Sequence, residues 1–174
     1  MKINLSDKGV QKLRKGLVEM GSKPSAENIN VIEVKTTNES TTITSLIVAM
    51  PYNGKNKNDS AVITFVSNEL GTAAVAAVIS NGMLSVVNYD AVTEGTVTIM
   101  SLECDLCQWL AMELCRIGTG AGCNWGCAYL CARVPNPLWI AICYVVCWPI
   151  CRYIVGYGCV GTGFEMCQWA GLCP

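Results

Sequence analysis

The chain has 174 residues with twelve basic and thirteen acidic side chains, twelve cysteines and no histidine. A net charge of -1, split as nine basic and ten acidic residues before Cys104 and three of each after it, gives no basic face for nucleic acid and no cationic attraction to anionic lipid. The absence of histidine excludes histidine-based triads and histidine metal sites, and the carboxylates form no catalytic motif, so the chain does not read as an enzyme.

Ser6 followed by Val10, Leu13, Leu17 and Val18 predicts a short amphipathic surface helix, with Ser6 as N-cap and Gly21 as its stop. The stretch from Met1 to Pro24 is polar, carries five cations between Lys8 and Lys23, and has no continuous apolar core of a signal peptide. From Asn30 onward β-branched runs over 31–35, 41–50, 61–67, 83–89 and 92–100 predict an antiparallel sheet. Asn53-Gly54 opens a polar loop, and Asn81-Gly82 is a two-residue hairpin signal. In the run 70–79 the alanines favour helix while the valines and the Asn81-Gly82 that follows favour strand, and it is read as a helix.

At residues 101–104 the composition switches, because every cysteine and all five tryptophans follow Ser101. The break divides the chain into a β-rich domain, 1–103, and a cysteine-rich domain, 104–174, and marks a candidate cleavage site. Cysteine at this density belongs to small secreted domains that replace a large core with covalent staples, so export is expected, by a route that the N-terminus does not disclose.

The cysteines form a near palindrome. Taken inward, Cys107 with Cys167, Cys115 with Cys159, Cys123 with Cys151, Cys127 with Cys147 and Cys131 with Cys143 share a midpoint at Pro137, and Cys104 with Cys173 is centred close by. Nested bridges are the economical connectivity, although twelve cysteines allow on the order of ten thousand pairings and spacing alone does not choose among them. Steps of four in Cys123, Cys127, Cys131 and in Cys143, Cys147, Cys151 place each triplet on one helical face. The intervening Val134-Pro135-Asn136-Pro137 breaks the helix, so two antiparallel helices facing through cysteines follow. Gly118 to Gly122 reads as a bend between cysteine helices, since it lacks the Lys-Ser/Thr ending of a phosphate loop. The expected fold class is therefore α+β, an antiparallel β-rich domain followed by a disulfide-stapled domain of nested helical hairpins.

Leu138 to Cys151 is fourteen residues without charge, too short for a confident span at about twenty residues. It reads as buried hairpin core or as a segment that partly enters a membrane. In the second case the contact residues are Trp139, Ile140, Ile142, Tyr144, Val145, Val146, Trp148 and Ile150. Metal binding by thiolates is the rival use of the cysteines, but only Cys104 and Cys107 form a Cys-x2-Cys pair. No metal or other cofactor is assigned.

The run Cys104-Asp105-Leu106-Cys107, then Cys115-Arg116-Ile117-Gly118 and Gly122-Cys123, and the close Cys167-Gln168-Trp169-Ala170-Gly171-Leu172-Cys173 resemble the cysteine-rich halocin-like bacteriocins over about seventy residues. The resemblance implies an antimicrobial peptide released by proteolysis from the C-terminal part of a precursor, whose N-terminal part is linked with self-protection. The expected partners are the membrane or envelope of a target cell, a processing protease, and the N-terminal domain paired with the C-terminal one, with no nucleic acid. The alternatives are an uncleaved secreted assembly protein whose β-domain polymerises, and a metal-storing thiol protein.

Overall fold

A computed structural model describes residues 7–26, 29–81, 83–90, 95–98, 103–159, 161, 163–169 and 172–173. Helix α1 (Lys8–Glu19) starts one residue later than expected. Its N-cap is Asp7, whose Oδ1 accepts from the Gly9 and Val10 backbone N–H groups at 2.8 and 3.1 Å; Ser6 lies outside the described residues. A carboxylate there satisfies two orphan donors and complements the positive end of the helix dipole. Gly21 ends the helix at φ +88°, and the Ser22 N–H reaches back to the Leu17 carbonyl at 2.9 Å. Val10, Leu13 and Leu17 are buried, whereas Val18 is exposed.

The strands are β1 (Lys23–Pro24), β2 (Asn30–Asn38), β3 (Thr41–Asn53), β4 (Ser60–Asn68), β5 (Gly71–Ser80), β6 (Met83–Asp90) and β7 (Gly95–Thr98). All pair antiparallel in one seven-stranded sheet. From β2 to β7 each strand lies beside the next, and β1 continues the line of β2 along the outer edge of β3. Two-residue turns close the register pairs Asn38–Thr41, Asn68–Gly71 and Ser80–Met83. Glu39 and Asn81 take the positive φ that such turns require at their first position. Of the last expected run, 92–100, the described part is β7, and 92–94 and 99–100 lie outside the described residues.

The helix expected over 70–79 is strand β5. Tight turns at both of its ends hold it in an extended register, and helices cover both faces of the sheet, so both faces are apolar and no polar alternation marks the strand. Ala74 and Ala76 face α1 together with Val48, Ile63 and Phe65. Ala73, Val75 and Ala77 face the other way with Ile47, Val66 and Val86. Small side chains here let a helix approach each face, and tertiary packing overrides alanine's helix propensity.

The C-terminal region is helical: α2 (Glu103–Ile117), α3 (Cys123–Cys131), α4 (Pro137–Tyr157) and α5 (Gly163–Trp169). Gly118 and Gly122, at φ +81° and +89°, make the bend between α2 and α3. Helix α4 lies on the sheet face opposite α1, packed on β4, β5 and β6, and carries α3 and α2 on its other side. The apolar cores of the sheet and of the cysteine helices are one continuous cluster on this side.

Candidate functional site

Six disulfides pair Cys104 with Cys173, Cys107 with Cys167, Cys115 with Cys159, Cys123 with Cys151, Cys127 with Cys147 and Cys131 with Cys143. These are the rungs of the nested ladder. The three inner rungs join α3 to α4, and the outer three join α2 to the chain that follows α4. Seven of the half-cystines, from Cys107 to Cys167, are wholly inaccessible, so the bridges are the packing layer between helices as well as the covalent staples. No cysteine is free, and thiolate chemistry would require the bridges to be reduced.

The side chain of Asn136 caps α4 by accepting from the Leu138 and Trp139 N–H groups, and Pro137 sits in the first turn, where its missing N–H costs nothing. The helix continues through Pro149 and Arg152 to Tyr157, twenty-one residues, and by length and composition it is long enough to cross a membrane. The fourteen-residue uncharged stretch understates it. Most of this helix is inside the protein. Of the residues expected to touch a membrane, Ile140, Ile142, Tyr144, Val145, Val146 and Ile150 are buried, and Trp139 and Trp148 are half-buried.

Cys143, Cys147 and Cys151 face α3. Two residues further along a helix is about 200° around it, so Val145 and Pro149 point away from the ladder, onto the sheet. Two side chains of the sheet hydrogen-bond to the turn between α3 and α4: Thr36 Oγ1 donates to the Ala132 carbonyl at 3.0 Å, and Asn68 Nδ2 donates to the Pro135 carbonyl at 2.7 Å. Thr64, on the α4 side of β4, is fully buried and its hydroxyl has no hydrogen-bond partner among the described residues. No disulfide crosses this interface, since all six lie between Cys104 and Cys173.

Within the helical part, Asn124 Oδ1 accepts from the Tyr144 hydroxyl at 3.1 Å and from Trp148 Nε1 at 2.6 Å, a polar clamp between α3 and α4. Burial pushes the Tyr144 hydroxyl up to about 12, and the Trp148 N–H holds it back from rising further. The folded state therefore favours the neutral phenol, and that stability is intact below pH 10 and lost as pH rises through 12. Between pH 9 and 11 the chain should lose about 1 kcal/mol that Tyr144→Phe does not lose. Urea unfolding of both proteins at the two pH values measures the difference, and equal losses would show that Tyr144 is not the group responsible.

An exposed aromatic surface lies on α3. Trp125 stacks on Tyr129 with centroids 5.2 Å apart, and Arg133 lies over Tyr129. Arg133 and Arg116 both bond to Glu113, and the Arg116 hydrogen bond holds its carboxyl below the usual range. The sequence carried a signal for this surface that the reading missed: Trp125 and Tyr129 are spaced by four and offset by two from the cysteine stripe, on the side away from it.

Between the sheet and the C-terminal half of α4 lies a cleft of about 680 Å³. Ala49, Val62, Ala77, Ile79 and Leu84 floor it, Val145, Trp148 and Pro149 roof it, and Arg152 is the one charged residue that lines it among those described. No family model, curated protein or solved structure matches this chain, so the site is read from its own residues.

Proposed function

We propose that the chain is the precursor of a disulfide-rich antimicrobial peptide, in which the sheet of residues 1–103 covers the apolar face of α4 and residues 104–174 act on the envelope of competing cells once that face is uncovered. One observation carries this reading: all six bridges lie inside the cysteine-rich part, while the face that joins it to the sheet is apolar and crossed by none of them. A cut between β7 and α2 therefore severs the one covalent link and leaves the stapled helices whole. Once free, α4 presents an apolar helix long enough to enter a bilayer, with Trp139 and Trp148 at the level of the head groups. The attack is hydrophobic, as three arginines and three carboxylates after residue 103 provide no net charge. The sheet, rebound to the same face, would serve as pro-domain before cleavage and as immunity protein after it. Six disulfides belong to an oxidising compartment, and secretion is part of the proposal.

The test is a protease site placed within 99–102 of the folded chain, with intact mass taken before and after cutting and after reduction. Dye release from vesicles and growth inhibition are then read for uncut protein, cut protein, and cut protein with excess sheet domain. Silence before the cut, activity after it and suppression by added sheet support the reading. Cut protein that neither binds vesicles nor inhibits any strain overturns it. The second reading, an uncleaved assembly protein, draws on β2, a nine-residue strand whose outer edge has no partner strand among the described residues. Uncut chain in large particles would favour it.

A further inference from the structure

We infer that the cleft between the sheet and α4 binds a single-chain amphiphile with an anionic head group, of the long-chain carboxylate class. Its volume, about 680 Å³, lies within the roughly 300–1,000 Å³ of small-molecule sites. The space exists because of the side chains chosen to floor it. Beneath α4 the sheet carries Ile47, Val66, Val75 and Val86, whereas two of the five floor residues of the cleft are the small Ala49 and Ala77, beside Val62, Ile79 and Leu84. Val145, Trp148 and Pro149 close the roof and set apolar surface opposite the floor.

Charge defines the head group. The cysteine-rich part has three arginines, of which Arg116 and Arg133 are joined to Glu113. Arg152 is the third, and it has no carboxylate partner among the described residues. Its guanidinium lies 4.7 Å from the centre of the Trp148 ring, a stacking that orients it beside the cleft. Among the described residues no carboxylate lines the cleft, so a cationic ligand would meet only like charge there. A polyanion such as a nucleotide would find one cation where it needs several. One negative charge on a long apolar tail matches both features, and the exposed Tyr157 and neutral Asn53 and Ser60 leave the polar end in water.

The floor comes from the sheet and the roof from α4, so the site exists only while the two parts are packed together, and a ligand that fills it favours the packed state. The inference concerns the uncut chain and stands whether or not the released part is a toxin.

The experiment titrates the full oxidised chain with cis-parinaric acid, a fluorescent long-chain carboxylate, and then displaces it with palmitate, hexadecanol or hexadecylammonium. Saturable binding at one site per chain is expected, with displacement by palmitate and poor displacement by the alcohol and the amine. Arg152→Gln, at an exposed position that does not disturb the fold, should weaken the carboxylate about tenfold, the loss of one charge-assisted contact, and Arg152→Lys should recover most of it. Ala77→Leu fills the floor and should abolish binding, with intact mass and circular dichroism checking that the variant folds. Non-saturable binding, displacement by the alcohol equal to that by palmitate, or full affinity in Arg152→Gln would each overturn the inference, and Arg152→Gln decides it even where Ala77→Leu misfolds.

Discussion

Val75→Asp should detach the cysteine helices from the sheet in an uncut chain. Val75 is fully buried on the face of β5 that α4 covers, beside Thr64 of β4 in the register of the sheet. A carboxylate there, without a cationic partner, costs several kcal/mol while α4 stays in place and almost nothing once α4 has left and water reaches the strand. The helices have their own covalent frame, so relief comes by separation rather than by unfolding. The charge sits on the sheet and leaves the apolar face of α4 unaltered, which lets the uncut variant bind vesicles if that face is the membrane-active one. Thr64→Val should act in the opposite direction: it replaces a buried hydroxyl that has no partner by a methyl of the same shape and tightens the interface by about 1–2 kcal/mol. Hydrogen exchange read over α4 and β5 checks both variants. Loss of protection throughout α3 in Val75→Asp would mean that the helices cannot stand without the sheet, and the precursor reading would fail with it.

The cysteine ladder was legible because two independent regularities agree, a palindrome in position and a spacing of four that makes a helical stripe. The antiparallel sheet was legible from its β-branched runs and from Asn81, whose positive φ the turn needs. Residues 70–79 were misread because local composition was weighed without the helices that cover β5 on both faces, and those are set by residues far away in sequence. Ser6 looks like the cap because it precedes the apolar pattern, yet the carboxylate of Asp7 is the one in reach of two N–H groups. The apolar run after Leu138 reads the same whether it is core or membrane segment, and only its packing on the sheet shows that the intact chain keeps it inside. The cleft could not be read at all, as its floor is drawn from four strands and its roof from a helix more than sixty residues further on.

Full reduction should cost the helical part its structure and leave the sheet with α1 folded. Helices α3 and α5 have nine and seven residues, too few to persist alone in water, and the half-cystines Cys127, Cys131 and Cys167 are wholly buried within them. The sheet keeps a second cluster against α1 that contains no cysteine. Single rungs behave differently, because nesting changes which loop each one closes. Cys127 and Cys147 are twenty residues apart along the chain, but with the rungs at Cys123–Cys151 and Cys131–Cys143 intact each half-cystine is only four residues from a neighbouring rung on either side. Removing this bridge by Cys127→Ala together with Cys147→Ala frees little chain entropy, so the cost should fall below the roughly 2–5 kcal/mol typical of an isolated native disulfide and consist mainly of lost sulfur packing. The six single-rung losses should therefore sum to much less than the loss on full reduction. Denaturant midpoints of the six double-alanine proteins, set against stepwise reduction of the parent, measure this, and single-rung costs that each match an isolated loop of the same separation would refute the nested account.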